Sequence, residues 1–214
     1  SPKGKSLCYL VKQPDEKENN YSSNLYLLKG KKTKQRTSSF PVLSFRFLDD
    51  ENILFVSYRD KEDQEKKKDG HPYTPFYSLP LNGGEAEKLF TLRLSVLSYE
   101  LLDKSHLILL ADVDLDKKEE MELLSKDGSS YTKEIKSSRE DYQEYHEVPF
   151  VLNGAGVIDH HRSVLFLYDR KKKKLEQVSP LEANVSSFDF DSFNIYYGAE
   201  ILEKESNGKQ GVYS

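Results

Sequence analysis

The chain of 214 residues contains a single cysteine, Cys8, and no long apolar run. One thiol excludes an internal disulfide and a zinc site built from cysteines. No segment approaches the roughly 18 apolar residues that a membrane-spanning helix needs, and the first residues contain no apolar core of a signal peptide. These absences predict a soluble, cytoplasmic chain with no membrane partner.

Neither sign of charge dominates the sequence. Lys and Arg together number 32 against 36 Asp and Glu, which gives a formal net charge of −4. Because phosphate binding needs a concentrated basic surface, this balance argues against a nucleic-acid partner. The 14 Tyr and 11 Phe argue against a disordered chain. The length is sufficient for one large β domain or two small ones, and no cofactor is indicated.

Short apolar and aromatic runs separated by polar turns are typical of an all-β chain. Residues 42–57 match residues 96–111 without a gap at an offset of 54, and each segment is predicted to form a strand, a polar turn and a second strand. Residues 185–197 repeat the pattern with one residue deleted in the turn. Residues 1–11 resemble the turn and second strand alone.

A third strand is predicted after each pair of strands. Its central positions are Tyr26, Tyr77, Glu122, Phe166 and Tyr213, at intervals of 51, 45, 44 and 47 residues. Asn82–Gly83 and Asp127–Gly128 favour tight hairpins after the second and third of these strands, with short outer strands at 86–90 and 131–135. Three or four antiparallel strands recurring roughly every 40 to 50 residues predict a β-propeller fragment of about four blades.

We divide the chain into blade portions 1–39, 40–91, 92–136, 137–180 and 181–214. On this register the first portion lacks its innermost strand and the last stops inside its third, which is the pattern expected of a piece of a longer protein. An incomplete ring leaves backbone N–H and C=O groups unpaired at its edges. We therefore expect self-association through exposed blade edges or pairing with a non-native strand. A strictly monomeric species in light scattering would count against this.

Several segments resemble the blades of serine peptidases of the prolyl oligopeptidase family, particularly its acylaminoacyl-peptidase-like and dipeptidyl-peptidase-like branches. Ser1–Gly4 is similar to the family's SPDG-like turn, with Lys3 where Asp is usual. Asn82–Glu85 matches its Gly-Gly-Glu turn, and residues 147–168 are similar to its middle blades. The resemblance covers essentially the whole chain.

The resemblance implies a parent enzyme in which a propeller is stacked on an α/β-hydrolase domain and selects short peptide substrates for a Ser-Asp-His site. No G-x-S-x-G nucleophile elbow occurs in the sequence. We therefore assign no catalytic residue, expect the chain itself to be non-catalytic, and expect its partner to be an α/β-hydrolase domain. The alternative is a stand-alone TolB-like propeller that acts as a scaffold for binding a protein or ligand.

Three alternating carboxylates, Asp112, Asp114 and Asp116, resemble the opening of a calcium loop. Lys117 and Leu123 stand where an EF-hand needs Gly and Glu. We interpret the carboxylates as the solvated face of a strand end.

The histidines do not form a ligand set. His160 and His161 are adjacent, so in a strand their side chains point to opposite faces. His71, His106 and His146 have no second ligand at a suitable spacing. No metal site is predicted.

The remaining candidates have structural interpretations. Asn153–Gly156 is predicted to be a turn between strands, and Cys8 a small core residue. The charged runs 59–69 and 116–122 are predicted to be solvated loops. The basic run 170–174 is predicted to be a hairpin turn, with a docking patch for an acidic partner as its functional alternative. Residues 137–146 could form a short helix or a rim loop in which Tyr142 and Tyr145 contact peptides.

Overall fold

The chain folds into a series of antiparallel β-sheets. The computed structural model describes residues 1–16, 20–70, 72–115, 151–152, 156–157, 160–201 and 209–213. It divides into two compact units, Ser1–Leu107 and Ile108–Ser214. Among the described residues no helix is long and apolar enough to cross a membrane.

The first two sheets follow one another along the chain. The first contains β1 (Leu7–Asp15), β2 (Asn20–Lys29) and β3 (Lys32–Gln35). The second contains β4 (Ser44–Phe47), β5 (Asn52–Val56), β6 (Thr74–Pro80) and β7 (Glu87–Leu92), with helix α1 (Lys61–Lys68) between β5 and β6. In both sheets each strand pairs antiparallel with the next strand in the chain. Such meanders of three or four strands are the blades of a propeller.

Two more sheets of this kind follow. The next strands are β8 (Ser95–Leu101), β9 (His106–Asp114), β10 (Val151–Leu152), β11 (Gly156–Val157), β12 (His161–Asp169) and β13 (Lys174–Gln177). The third sheet has the order β8-β9-β12-β13, and β10 pairs with β11 in a separate two-stranded sheet. The fourth sheet contains β14 (Ala183–Phe190), β15 (Ile195–Ile201) and β16 (Lys209–Tyr213) in chain order.

Burial differs systematically between the middle and outer strands. All four residues that follow Asn52 in β5 are buried, as are residues 107–111 of β9. An apolar run buried on both faces is expected of a strand in a sheet that is covered on both sides. By contrast β3 is exposed throughout, and β7 alternates between exposed and half-buried residues along most of its length. The outer strand of each of these two sheets is therefore much more exposed than the strands in the middle.

An apolar cluster joins the first sheet to the second. Its buried members are Cys8, Leu25, Leu27, Val42, Ile53, Phe55, Tyr77, Leu79 and Leu81. Leu25, Ile53 and Phe55 have no exposed surface. The first three members belong to the first sheet and the others to the second sheet and its flanking residues, so this contact is the core of the first unit.

The same aspartate turn follows the first strand of the last three sheets. Asp49, Asp103 and Asp191 each accept hydrogen bonds from the backbone N–H groups two and three residues later, at 2.5 to 2.9 Å. These backbone hydrogen bonds lower the pKa of Asp103 and Asp191. Asp49 and Asp103 are 54 residues apart, so the turn confirms the sequence repeat at the level of individual hydrogen bonds.

Four of the five predicted third strands are present. Tyr26 lies in β2, Tyr77 in β6, Phe166 in β12 and Tyr213 in β16. Glu122, the hairpin at Asp127–Gly128 and the outer strand at 131–135 lie outside the described residues. The predicted outer strand at 86–90 corresponds to β7.

The third sheet contains strands of two predicted blade portions. β9 of portion 92–136 lies beside β12 of portion 137–180. Sequence spacing does not predict this pairing, because two segments have the apolar pattern of a third strand and the choice between them depends on nonlocal hydrogen bonds. The boundaries of the blade portions stay predictions.

We expect the Leu25→Ala substitution to lower the free energy of unfolding by about 2–5 kcal/mol, because it removes buried apolar surface and leaves a cavity. Urea denaturation followed by circular dichroism measures this loss. Leu97→Ala is the matched control, because Leu97 is 56% exposed and a change there should stay within about 0.5 kcal/mol. Equal losses in the two variants would contradict the packing.

Candidate functional site

A cavity of about 280 Å³ lies beside the apolar cluster of the first unit. Its walls are the loop 36–40 after β3, the side chains of Phe55 and Leu79, Arg59 after β5, and the turn 84–86. The loop is fixed near both of its ends, because the N–H of Arg36 donates to the carbonyl of Leu25 at 2.7 Å and that of Val42 donates to the carbonyl of Ser23 at 2.8 Å.

The turn that completes the wall is the predicted Gly-Gly-Glu segment. Gly83 and Gly84 have φ values of 135° and 98°, in the region where residues with a Cβ are strained. The positive φ predicted for this hairpin is therefore confirmed. The turn brings the exposed side chain of Glu85 to the rim of the cavity.

Arg36 crosses from the first sheet to the second. Its Nη2 donates to the carbonyl of Pro80 at 2.6 Å. Its Nε is buried and has no hydrogen-bond acceptor among the described residues. A buried donor without an acceptor costs about 1–3 kcal/mol, and this cost is borne by the contact that Arg36 makes between the two sheets.

Arg59 is the second cation on the wall. Its guanidinium carbon lies 5.6 Å from the centroid of the Tyr77 ring, a distance at which a cation and an aromatic ring attract each other. Within the part of the chain that the structure describes, no carboxylate forms an ion pair with Arg36 or Arg59. The cavity is thus lined by two positive charges against the one negative charge of Glu85.

A buried carboxylate fixes helix α1 close to this cavity. The side chain of Asp63 has no exposed surface. Its Oδ1 accepts hydrogen bonds from the Tyr73 hydroxyl and from Lys88 Nζ, both at 2.8 Å, and its Oδ2 accepts one from the Tyr77 hydroxyl at 2.6 Å. Lys88 Nζ also lies 2.6 Å from Asp60 Oδ2. Both carboxylate oxygens of Asp63 are therefore satisfied.

The protonation states in this cluster follow from these contacts. Burial tends to raise the pKa of Asp63, but the hydrogen bonds from Lys88, Tyr77 and Tyr73 outweigh it and hold the pKa below its usual value. Burial and the hydrogen bond to Asp63 raise the pKa of Tyr73 to about 12 and also raise that of Tyr77. At neutral pH the carboxylate is ionised and both phenols are neutral, as a structural ion cluster requires.

A second ion pair connects the first strands of two successive sheets. Arg46 of β4 contacts Glu100 of β8 through two hydrogen bonds, Nε to Oε2 at 2.7 Å and Nη2 to Oε1 at 2.5 Å. The side chains are 39% and 37% exposed. The two residues are 54 positions apart, so they occupy equivalent places in the repeat. In a propeller the blades surround a central channel.

Tyr99 anchors this pair to the core. It is 1% exposed, its hydroxyl donates to the carbonyl of Leu54 at 2.9 Å, and its ring packs edge-on against Phe76 with centroids 5.1 Å apart. The guanidinium carbon of Arg46 lies 5.6 Å from the Tyr99 ring centroid. The ion pair is consequently held by rigid neighbours while its charged atoms stay accessible.

The alternating carboxylates have the predicted strand geometry. Asp112 and Asp114 lie on one face of β9, on either side of the buried Val113. Oδ2 of Asp112 lies 2.8 Å from Nδ1 of His161 on β12. Asp116 lies outside the described residues.

The histidines are separated in the structure. Nδ1 of His106 lies 2.8 Å from Oδ2 of Asp103. His160 has a φ of 54° and precedes β12, which begins at His161, so only one of these neighbours lies in a strand. His71 and His146 fall outside the description. Among the described residues no three His, Cys, Asp or Glu side chains are grouped to hold a metal.

The interpretation of Cys8 as a core residue is confirmed. It is 7% exposed within the apolar cluster, and burial raises the pKa of its thiol.

The charged run 59–69 is not the solvated loop that was predicted, because it contains α1 and the buried Asp63. An acidic first turn, a basic last turn and the pairing of Glu62 with Lys66 at 2.6 Å favour the helix. The basic run does form a hairpin turn, since β12 ends at Asp169 and β13 begins at Lys174. Residues 116–122, 137–146 with Tyr142 and Tyr145, and 153–155 lie outside the described residues.

Solved peptidase structures share this arrangement of sheets. The chain is similar to the acylaminoacyl peptidase of Pyrococcus horikoshii in its orthorhombic crystal form, with 13% identity, a TM-score of 0.57, and coverage of 96% of this chain and 30% of that chain. It is also similar to an acylaminoacyl peptidase in complex with Z-Gly-Gly-Phe-chloromethyl ketone, with 13% identity, a TM-score of 0.59, and coverage of 99% and 31%.

The chain has the β-propeller fold of these peptidases. It spans about 30% of their length. No protein-family model matches the sequence, and no curated protein matches it. At 13% identity the likeness shows the fold and leaves the activity to be argued separately.

We expect Asp63→Asn to lower the free energy of unfolding by about 1–3 kcal/mol, because the amide replaces a charged acceptor that receives hydrogen bonds from Lys88, Tyr73 and Tyr77. Glu62→Gln makes the same chemical change on the same helix. Its exposed pair with Lys66 should contribute no more than about 1 kcal/mol. Urea denaturation of both variants at neutral pH measures the difference.

The effect of Asp63→Asn should also depend on pH. The folded-state pKa of Asp63 lies below that of an unfolded aspartate, about 3.9. Its stabilising contribution is therefore present above that value and is lost as the pH falls through the folded pKa. The gap in unfolding free energy between the native chain and Asp63→Asn should be constant at neutral pH and shrink below about pH 4. A gap that does not change on acidification would show that the charge is not responsible.

Proposed function

We propose that the chain is the non-catalytic propeller region of a serine-type peptidase, which gates and selects short peptides for an α/β-hydrolase domain. The observation that supports this most strongly is the likeness of nearly the whole chain to acylaminoacyl peptidases, at TM-scores of 0.57 and 0.59. The coverage of about 30% of those chains fits a propeller that accompanies a larger catalytic part.

The proposed roles of the propeller and the hydrolase domain are different. With no G-x-S-x-G elbow in residues 1–214, the nucleophilic serine would belong to the hydrolase domain, where a histidine acts as its general base and an acyl-enzyme forms. The contribution of the propeller would be steric, because folded proteins are too wide for a channel between blades. The single buried thiol, Cys8, accords with a reducing, cytoplasmic location.

The half-exposed pair of Arg46 and Glu100 fits the gating proposal. In a closed ring the first strands would border the central channel, and these charged atoms would then face a passing peptide. Because each charge is already neutralised by the other, a peptide meets a polar wall without a strong net attraction for either of its termini. A wall of this kind would let a peptide pass without binding it tightly.

The test is labelling with a fluorophosphonate, which reacts with activated serines. We expect the product of the complete gene to be labelled and the 214-residue chain, run alongside, to remain unlabelled. Mass spectrometry should place the modified serine outside residues 1–214.

The controls separate the alternatives. Heat-denatured protein should lose the label, because activation of the serine depends on the folded site. Failure of a folded complete product to react would overturn the peptidase proposal in favour of the binding scaffold. Labelling of a serine within residues 1–214 would overturn the non-catalytic assignment.

A further inference from the structure

We propose that the cavity beside Arg36 and Arg59 is a binding site for a small ligand that carries an oxyanion, a carboxylate or phosphate, next to an apolar group. This proposal is independent of the peptidase proposal, because it depends only on the first unit. All of the residues that line the cavity belong to that unit.

The charges on the wall favour an anion. Arg36 and Arg59 both line the cavity, and neither forms an ion pair with a carboxylate in the described part of the chain. The nearby cation Lys88 is different, since it is already held by Asp60 and Asp63. Guanidinium groups bind two oxygens of a carboxylate or phosphate at once, which ammonium groups do less well, because the guanidinium N–H donors form a rigid fork.

Exposed hydroxyl groups accompany the two cations. The hydroxyl-bearing residues Ser38 and Ser39 lie on the same wall and are exposed. An oxyanion supplies several acceptor sites at once, which is what this set of donors lacks.

The remaining residues of the wall indicate that the ligand has an apolar group. Phe40 is the half-buried aromatic residue of the wall, whereas Phe55 and Leu79 lie beneath it in the apolar cluster with 0% and 2% of their surface exposed. A volume of about 280 Å³ lies just below the range for small-molecule sites, about 300–1,000 Å³. The site therefore suits a ligand of the size of an acylated amino acid or a small phosphate ester.

The wall is held in place without the ligand. Backbone hydrogen bonds fix the loop at Arg36 and Val42, and the hydrogen-bonded cluster of Asp63 fixes Tyr77, over which Arg59 lies. Preorganisation of this kind lowers the entropic cost of binding.

The experiment is isothermal titration calorimetry at low ionic strength with three probes: N-acetylphenylalanine, its neutral amide N-acetylphenylalaninamide, and inorganic phosphate. We expect N-acetylphenylalanine to bind with a Kd of about 0.1–1 mM and the amide not to bind measurably. Phosphate that binds as tightly as N-acetylphenylalanine would overturn the part of the proposal that gives the ligand an apolar group, because the apolar wall would then contribute nothing.

Variants assign the binding to the cavity. Arg59→Gln should weaken binding by about tenfold or more, because it removes a charge-assisted contact. Arg93→Gln is the matched control, since it removes the same charge from the same unit at a residue that does not line the cavity, and it should leave the Kd unchanged. Glu85→Gln should tighten binding by a few-fold, because it removes the negative charge at the rim.

A circular dichroism spectrum confirms that each variant is folded. If Arg59→Gln does not fold, Arg59→Lys keeps the charge but loses the fork and should weaken binding by a smaller factor. Absence of binding of all three probes would overturn the proposal. Equal weakening by Arg59→Gln and Arg93→Gln would overturn it as well, because binding would then reflect the net charge of the chain.

Discussion

The apolar contact between the first and second sheets determines the arrangement of the first unit. Leu25 and Phe55, both fully buried, meet across this contact in one cluster. Burial of such side chains contributes roughly 1.5–3 kcal/mol each, so the relative position of the two sheets is strongly favoured. The loop 36–43 must cross from one sheet to the other at this contact. Its course places Arg36 at the wall of the cavity and sends Val42 into the cluster.

The repeat shows how one backbone pattern supports different chemistry at equivalent positions. Asp49 and Asp103 close the same turn with the same hydrogen bonds, because the turn geometry allows few alternatives. The residues three positions before these aspartates differ between the two repeats. They are Arg46 and Glu100, whose opposite charges attract each other between neighbouring first strands. The constant positions build the blades, whereas the variable positions determine the electrostatics between them.

The sequence was sufficient to predict the all-β class, the repeat and most of the strands, because short apolar runs, polar turns and Asn-Gly turns are local signals. The position of β12 beside β9 was not predictable in the same way, since strand pairing over nearly 50 residues depends on nonlocal contacts. The burial of Asp63 was missed for a related reason. Its partners Tyr73, Tyr77 and Lys88 lie 10 to 25 residues away, although the i,i+4 pairing in the charged run could have indicated a helix. Arg36 and Arg59 carry no motif, and only the fold brings them to one cavity.

The proposed role of the propeller is to restrict a serine peptidase to short peptides. The most direct test compares kcat/KM of the complete gene product for an N-acylated tripeptide with kcat/KM for the same sequence in an exposed loop of a folded protein. Hydrolysis of the tripeptide with no detectable cleavage of the folded protein is the predicted result. Equal kcat/KM for the two substrates would contradict the proposal, because a folded protein is too wide to pass between the blades.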